Sequence, residues 1–212
     1  MKAIIITPFL LHPIREIISS EDADLIICAD SAYLKAQKEN IMPHAVIGDF
    51  DHGKQDEPQG NFQKLLRFPS VKDDTDTMLC VKYALNRGFD EILIVGGIGG
   101  RLDHTFANLQ TLAYIHDHGA QGCISDGDHK VFLISSSLSL RKGKYDYASV
   151  FAYDSVCKDI SLKGFKYEGE HLELQSNFPL GVSNHFLDGE VQIAVKDGVL
   201  IIGAEMKEEN EE

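Results

Sequence analysis

The chain has 212 residues, 43% of them hydrophobic, and sets 20 lysines and arginines against 33 aspartates and glutamates, a formal net charge of −13. That balance argues against a sequence-neutral nucleic-acid binder, which needs a cationic face for phosphates, and against attachment to anionic lipid through a basic patch. No apolar run approaches the ~20 residues needed to span a bilayer, and the length fits one large or two small domains.

Taken in chain order, the apolar stretch at the amino terminus is broken by Pro8 before any small-residue cleavage site. It therefore reads as a first strand over 3–7 and not as a signal peptide. Further strands are predicted over 25–29, 45–47, 65–68, 91–95 and 121–124, with helices over 13–20, 32–39, 75–87 and 103–118 between them. The last two helices are the clearest, with apolar residues at helical spacing and basic or glycine stops at Arg87-Gly88 and His118-Gly119. Strands alternating with helices imply crossover connections, a mostly parallel sheet, and a ligand site at the carboxyl ends of its strands.

After about Ser125 helical periodicity fades. Strand-like runs follow over 131–134, 137–140, 148–153, 160–162, 171–174, 191–195 and 199–202, punctuated by Gly143, Gly164, Gly169, Gly181, Gly189 and Gly198. Val195-Lys196-Asp197-Gly198-Val199 carries an Asp-Gly hairpin signal. The expected fold class is an α/β N-terminal domain with a mostly parallel sheet over 1–128, followed by a small antiparallel β-sandwich domain over 129–212. The acidic tail from Lys207 reads as a frayed end. Cys28, Cys80, Cys123 and Cys157 stand apart with no Cys-x-x-Cys pair, which fits buried free thiols in a reducing cytoplasm.

Chemistry-bearing residues gather at the strand-to-loop junctions of the first domain. Asp30 follows the second predicted strand, Gly48-Asp49-Phe50-Asp51 the third, Lys72-Asp73-Asp74-Thr75-Asp76 precedes a helix, and Gly96-Gly97-Ile98-Gly99-Gly100-Arg101-Leu102-Asp103-His104 follows another strand. Two like charges about 4 Å apart repel by roughly 4 kcal/mol at an effective dielectric near 20, so carboxylates converging on one edge call for divalent cations or abnormal protonation. Oxygen-only ligands point to magnesium, which takes one or two carboxylates and leaves positions for water and phosphate. In an extended segment residues two apart share a side, so Asp49 and Asp51 can serve one cluster. Singly, Asp30 and Asp73 serve equally as solvated loop residues, and Thr75 or Asp73 as a helix cap. The glycine run is neither a Walker A loop nor Gly-x-Gly-x-x-Gly. It suits a backbone cradle for phosphate with Arg101 as a bidentate donor, or a plain strand-to-helix turn capped by Asp103.

Together Gly48-Asp49-Phe50-Asp51, Lys72-Asp73-Asp74-Thr75-Asp76 and Arg101-Leu102-Asp103-His104 with Ala107-Asn108 resemble the ordered motifs of the thiamine pyrophosphokinase family, and Ser183-Asn184 resembles its late Ser-Asn element. The resemblance covers nearly the whole chain, domain order included. It implies transfer of pyrophosphate from ATP to thiamine with release of AMP, Mg2+ as cofactor, and a homodimer with sites at the subunit interface; the cytoplasm is the expected default location, no leader segment being evident. It further implies Asp49, Asp51 and Asp76 as the metal and catalytic cluster together with Arg101. ATP would be held by Asp30, Lys72, Asp73, Thr75, Gly99, Gly100, Arg101, Asp103, His104 and Asn108. Thiamine would be held by Asp76, Asp103, Ser183, Asn184 and Phe186, the Ser-Asn pair coming from the partner subunit. Two departures stand out: His52 occupies the usual serine position after the Asp-x-Asp motif, and the chain has no tryptophan after Ser183-Asn184, where His185 and Phe186 stand. Phe186 reads either as a ring stacked on thiamine or as sandwich core; His52 and His104 read as acid-base residues or as loop and helix-start residues. A pyrophosphokinase for another alcohol such as a hydroxymethyl pterin, and a non-catalytic nucleotide sensor, share the aspartate cluster; γ-phosphoryl transfer would yield ADP instead.

Overall fold

The structure is a computed structural model that describes residues 1–19, 21–50, 60, 62–69, 73–143, 145–187 and 189–205. Asp51, His52 and Lys72 lie outside the described residues, as does the acidic tail. The chain divides into two compact units, Met1–Gly127 and Asp128–Glu212.

The first unit runs β1 (Lys2–Ile6), α1 (Ile14–Ile18), β2 (Leu25–Ala29), α2 (Ala32–Lys38), β3 (Ala45–Gly48), β4 (Lys64–Arg67), α3 (Asp76–Leu85), β5 (Glu91–Val95), α4 (Leu102–Asp117) and β6 (Gln121–Ser125). Its strands lie in the order β6-β5-β1-β2-β3-β4, every neighbouring pair parallel. Ile-rich strands such as Lys2–Ile6 are what a sheet covered on both faces demands, since alternate side chains then both meet apolar neighbours. Ile4, Ile5, Ile6, Ile27, Ile47, Ile92 and Ile94 are fully buried. Helix α3 starts where the Thr75 hydroxyl accepts from Met78 N at 3.1 Å, so of the two expected caps Thr75 does the work. Helix α4 begins one residue before the expected start, with Arg101 at the cap position and no side-chain cap bond; Asp103 sits in its first turn, where a carboxylate meets the positive end of the helix dipole.

The second unit is all β: β7 (His129–Ile134), β8 (Ser137–Arg141), β9 (Tyr147–Ala152), β10 (Val156–Lys163), β11 (Gly169–Gln175), β12 (Gly181–His185), β13 (Glu190–Ala194) and β14 (Leu200–Glu205). Strands β12-β9-β14-β7 form one antiparallel layer and β11-β10-β13-β8 the other. Val150, Ala152 and Ile202 of the first layer share one core with Ile160, Leu162, Val191 and Ile193 of the second. The expected α/β sheet followed by a sandwich is therefore the fold.

Two local expectations are corrected. Residues 195–199 do not close a hairpin, because β13 and β14 belong to different layers. The turn passes between them, and Asp197 exchanges backbone bonds with Lys158 at 2.8 and 3.3 Å instead of with its own flanking strand. Strand β12 was not expected, since Gly181-Val182-Ser183-Asn184-His185 has little apolar content; backbone pairing with β9 forms it across a register shift, with Ser183 at φ 53°.

Candidate functional site

The C-terminal ends of β1, β2 and β5, with the starts of α3 and α4, wall a cleft of about 360 Å3 lined by Thr7, Pro8, Phe9, Asp30, Ser31, Thr75, Asp76, Thr77, Gly97, Gly99, Arg101, His104, Ala107 and Asn108. Parallel sheets place ligands there because the strands end and their loops diverge.

At one side of this edge Asp30 leaves β2, Asp49 leaves β3, and Asp76 opens α3. Their carboxylate oxygens lie within 4.8 Å of one another. Asp30 is the most deeply set, 6% exposed, with its N–H donated to Ile47 O at 2.7 Å and a left-handed backbone at φ 44°. Such a conformation strains a non-glycine residue and persists where the surroundings over-determine it. Gly48 makes the approach feasible: a Cβ there would stand 2.8 Å from Asp30 Cα. The oxygen-only donor set fits a hard divalent cation such as magnesium.

On the other side the end of β1 is tied to the end of β5. The Thr7 hydroxyl lies 2.9 Å from Val95 O, and Gly97 N donates to Phe9 O at 2.9 Å. Asn108, 5% exposed on α4, donates its amide to Gly97 O at 2.9 Å. Gly96 N is accepted by Ser125 O at 2.8 Å and Gly99 N by Thr105 Oγ1 at 3.1 Å. The glycine loop is thus braced, with three of its N–H groups already used, so it offers less to a phosphate than an open cradle would. Asn108 holds the loop in shape.

Arg101 lines the cleft, and its guanidinium grips Asp103 bidentately, Nε to Oδ1 at 3.1 Å and NH2 to Oδ2 at 2.6 Å. Through this bond Arg101 holds the Asp103 carboxyl below the usual carboxylate range, and Asp103 raises the Arg101 guanidinium. Asp103 and Asp73 are exposed and stand outside the cleft lining, as does Gly100; Thr75, Gly99 and His104 line it.

In the second unit Ser183 is exposed. Asn184 is 5% exposed and closes both hydrogen bonds on the Tyr167 backbone, accepting from N at 3.0 Å and donating to O at 2.8 Å. Phe186 is corrected as a stacking ring: it is 3% exposed, with its ring edge-on to Phe165 at 5.3 Å between centroids. Buried in the sandwich, it offers no face to a ligand.

The sequence reading missed Thr7, Pro8, Phe9, Ser31 and Thr77 as lining residues. The strand-end rule that singled out Asp30 and Asp49 applies equally to Thr7-Pro8-Phe9 after β1; these went unnoticed because they carry no charge.

The family described as "Thiamin pyrophosphokinase, catalytic domain" matches residues 18–124, just over half of the chain, and "Thiamin pyrophosphokinase, vitamin B1 binding domain" matches residues 135–200. The thiamine pyrophosphokinase of Bacillus subtilis (strain 168) is 26% identical over 198 residues, covering 86% of this chain and 88% of its own. A crystal structure of thiamine pyrophosphokinase from Bacillus subtilis superposes with a TM-score of 0.85 at 21% identity, covering 98% of this chain and 100% of that one. One from Geobacillus thermodenitrificans gives 0.81 at 21% identity, covering 99% of each chain. At that identity the structures speak for the fold, and the family matches speak for descent. The expected family is borne out: the chain belongs to the thiamin pyrophosphokinase family.

Proposed function

We propose that the cleft of the first unit is where this chain transfers the pyrophosphoryl group of ATP to the hydroxyethyl oxygen of thiamine, giving thiamine diphosphate and AMP. The observation that carries the reading is the meeting of Asp30, Asp49 and Asp76 within 4.8 Å beside the cleft. These three, with Asp51, would hold magnesium, which would supply positive charge against the polyphosphate. The thiamine oxygen attacks the β-phosphorus, the bond from that phosphorus to the oxygen bridging to the α-phosphorus breaks, and AMP leaves with that electron pair. Asp76, at the first turn of α3, takes the hydroxyl proton. Arg101 exchanges Asp103 for a phosphate oxygen, keeping the same planar two-point geometry. Lys72 adds positive charge to the transferred group. Positioning and charge neutralisation supply most of the rate in such transfers.

Ser183 of a second copy helps hold thiamine, with Asn184 fixing the backbone beside it, in a cytoplasmic homodimer. Two facts support the pairing of copies: β12 is the edge strand of its layer, and Phe178, Leu180, Val182 and Leu187 on and around it are exposed. None of the four cysteines is in a disulfide, as in a reducing compartment. Incubation with ATP, magnesium and thiamine should yield AMP and thiamine diphosphate in equal amounts. ADP as the product, or AMP formed with a hydroxymethyl pterin and not with thiamine, would overturn the reaction; sedimentation as a monomer would overturn the dimer.

A further inference from the structure

The cleft has two unlike ends. The acidic end lies past β2 and β3, while Pro8, Phe9, Gly97, Gly99 and Ala107 line the part built on β1, β5 and α4. Adjacent strands are about 4.8 Å apart, so the ends of β1 and β3, two strands removed, are separated by about 10 Å. That is the reach between the base of a nucleoside triphosphate and its outer phosphates.

Phe9 is the aromatic ring among the lining residues besides His104, and it is 38% exposed. Its backbone is pinned by the Gly97 bond to its carbonyl. Its ring rests on the glycine loop: a Cβ on Gly100, which has φ 65°, would stand 2.7 Å from Phe9 Cε2. The missing side chain lets the ring lie down against the loop, and a ring held so presents a fixed planar face without losing rotamer freedom on binding. Planar bases stack on such faces.

Resting on the reading of the cleft as an ATP site, we propose that Phe9 is the stacking platform for the adenine of ATP. The polyphosphate at Asp30, Asp49 and Asp76 fixes the register, and Phe9 receives the base at the far end. Thiamine, whose alcohol must reach the β-phosphorus from outside, is left to the remaining side of the site.

The test is calorimetric binding of magnesium ATP and of magnesium tripolyphosphate to the full chain and to Phe9→Ala, Phe9→Leu and Phe9→Trp, beside steady-state kinetics. Removing the ring should weaken ATP about 5- to 150-fold, the range seen when a base loses its aromatic partner. Tripolyphosphate binding, kcat at saturating ATP and KM for thiamine should hold within about twofold, as they should when a base contact contributes to binding alone. Phe9→Leu, which keeps bulk without a π face, should behave as Phe9→Ala; Phe9→Trp should bind ATP as the wild type does. Equal weakening of ATP and tripolyphosphate, a rise in KM for thiamine alone, or unchanged ATP binding would each overturn the proposal. The binding arm needs no turnover, so a wild-type chain that binds ATP through Phe9 yet makes no thiamine diphosphate would sink the reaction and leave the stacking role standing.

Discussion

In the first unit Asp30, Asp49 and Asp76 bring their oxygens within 4.8 Å of one another. In the second, Asp159 stands between Lys196 at 2.7 Å and His171 at 2.5 Å. Both arrangements use left-handed residues to aim side chains: Asp30 at φ 44°, and Asp159 and His171 at φ 53° and 56°. The electrostatics are opposed. Like charges are gathered in the first, whereas in the second one carboxylate is set against basic groups within its own sheet. The same backbone device builds an acidic cluster at the cleft in one unit and a paired surface contact in the other. The buried polar groups follow suit, since Asn184 spends both amide atoms on Tyr167 while Asn108 spends its NH2 on bracing a loop of the cleft.

The contrast breaks most visibly at Phe186. As a core ring it should cost about 3–5 kcal/mol on replacement by alanine, read by chemical denaturation. Phe186→Leu should keep the KM for thiamine within about twofold, since only a ring stacked on substrate would raise it; an unstable Phe186→Ala with a normal core-conserving variant confirms the burial, and a raised KM in Phe186→Leu refutes it.

Next in size is Asp49→Asn, expected to lower kcat/KM at least about 100-fold, since even groups that merely orient metal ligands are worth 10–100-fold. Near-normal turnover at saturating magnesium would remove Asp49 from the metal shell.

Gly48→Ala sharpens the comparison by strain alone, its new Cβ pressing on Asp30 at 2.8 Å. Overpacking of this kind should cost about 1–3 kcal/mol and displace Asp30, so that, on the proposed magnesium site, stability and magnesium affinity fall together. A drop in stability with magnesium affinity intact would show that Asp30 is free to relax.

The smallest effect belongs to Asp159. Lys196, and then His171, hold its carboxyl below the ordinary 3.8, so the charged form is favoured by folding. Its contribution is present above that ordinary value and is lost as pH falls through the lowered one. Asp159→Asn, a residue tolerated at positive φ, should melt slightly below wild type at neutral pH, and the gap should close below about pH 3.8. A gap independent of pH would assign the effect to packing.

Much of this was legible in the residues. Apolar Ile-rich runs between amphipathic stretches can only be strands of a covered parallel sheet, and acidic residues just past those runs mark the edge where ligands bind. The site was read in part: Asp30, Asp49 and Asp76 meet, whereas Asp103 turns to Arg101 and Phe186 is buried. The lining at Thr7, Pro8 and Phe9 escaped because uncharged residues past a strand resemble any turn.

Local composition by itself determined which segments are strands and helices, the order of the two units and the identity of the charged groups, because each depends on neighbours a few residues away. Only the tertiary structure decided that β13 and β14 part into different layers, that β12 forms at all, that Gly48 must lack a side chain for Asp30 to reach its partners, and that Phe9 lies on Gly100. Those outcomes turn on what stands within a few ångströms after the chain has folded, and no pattern of near neighbours records which distant backbone will arrive there.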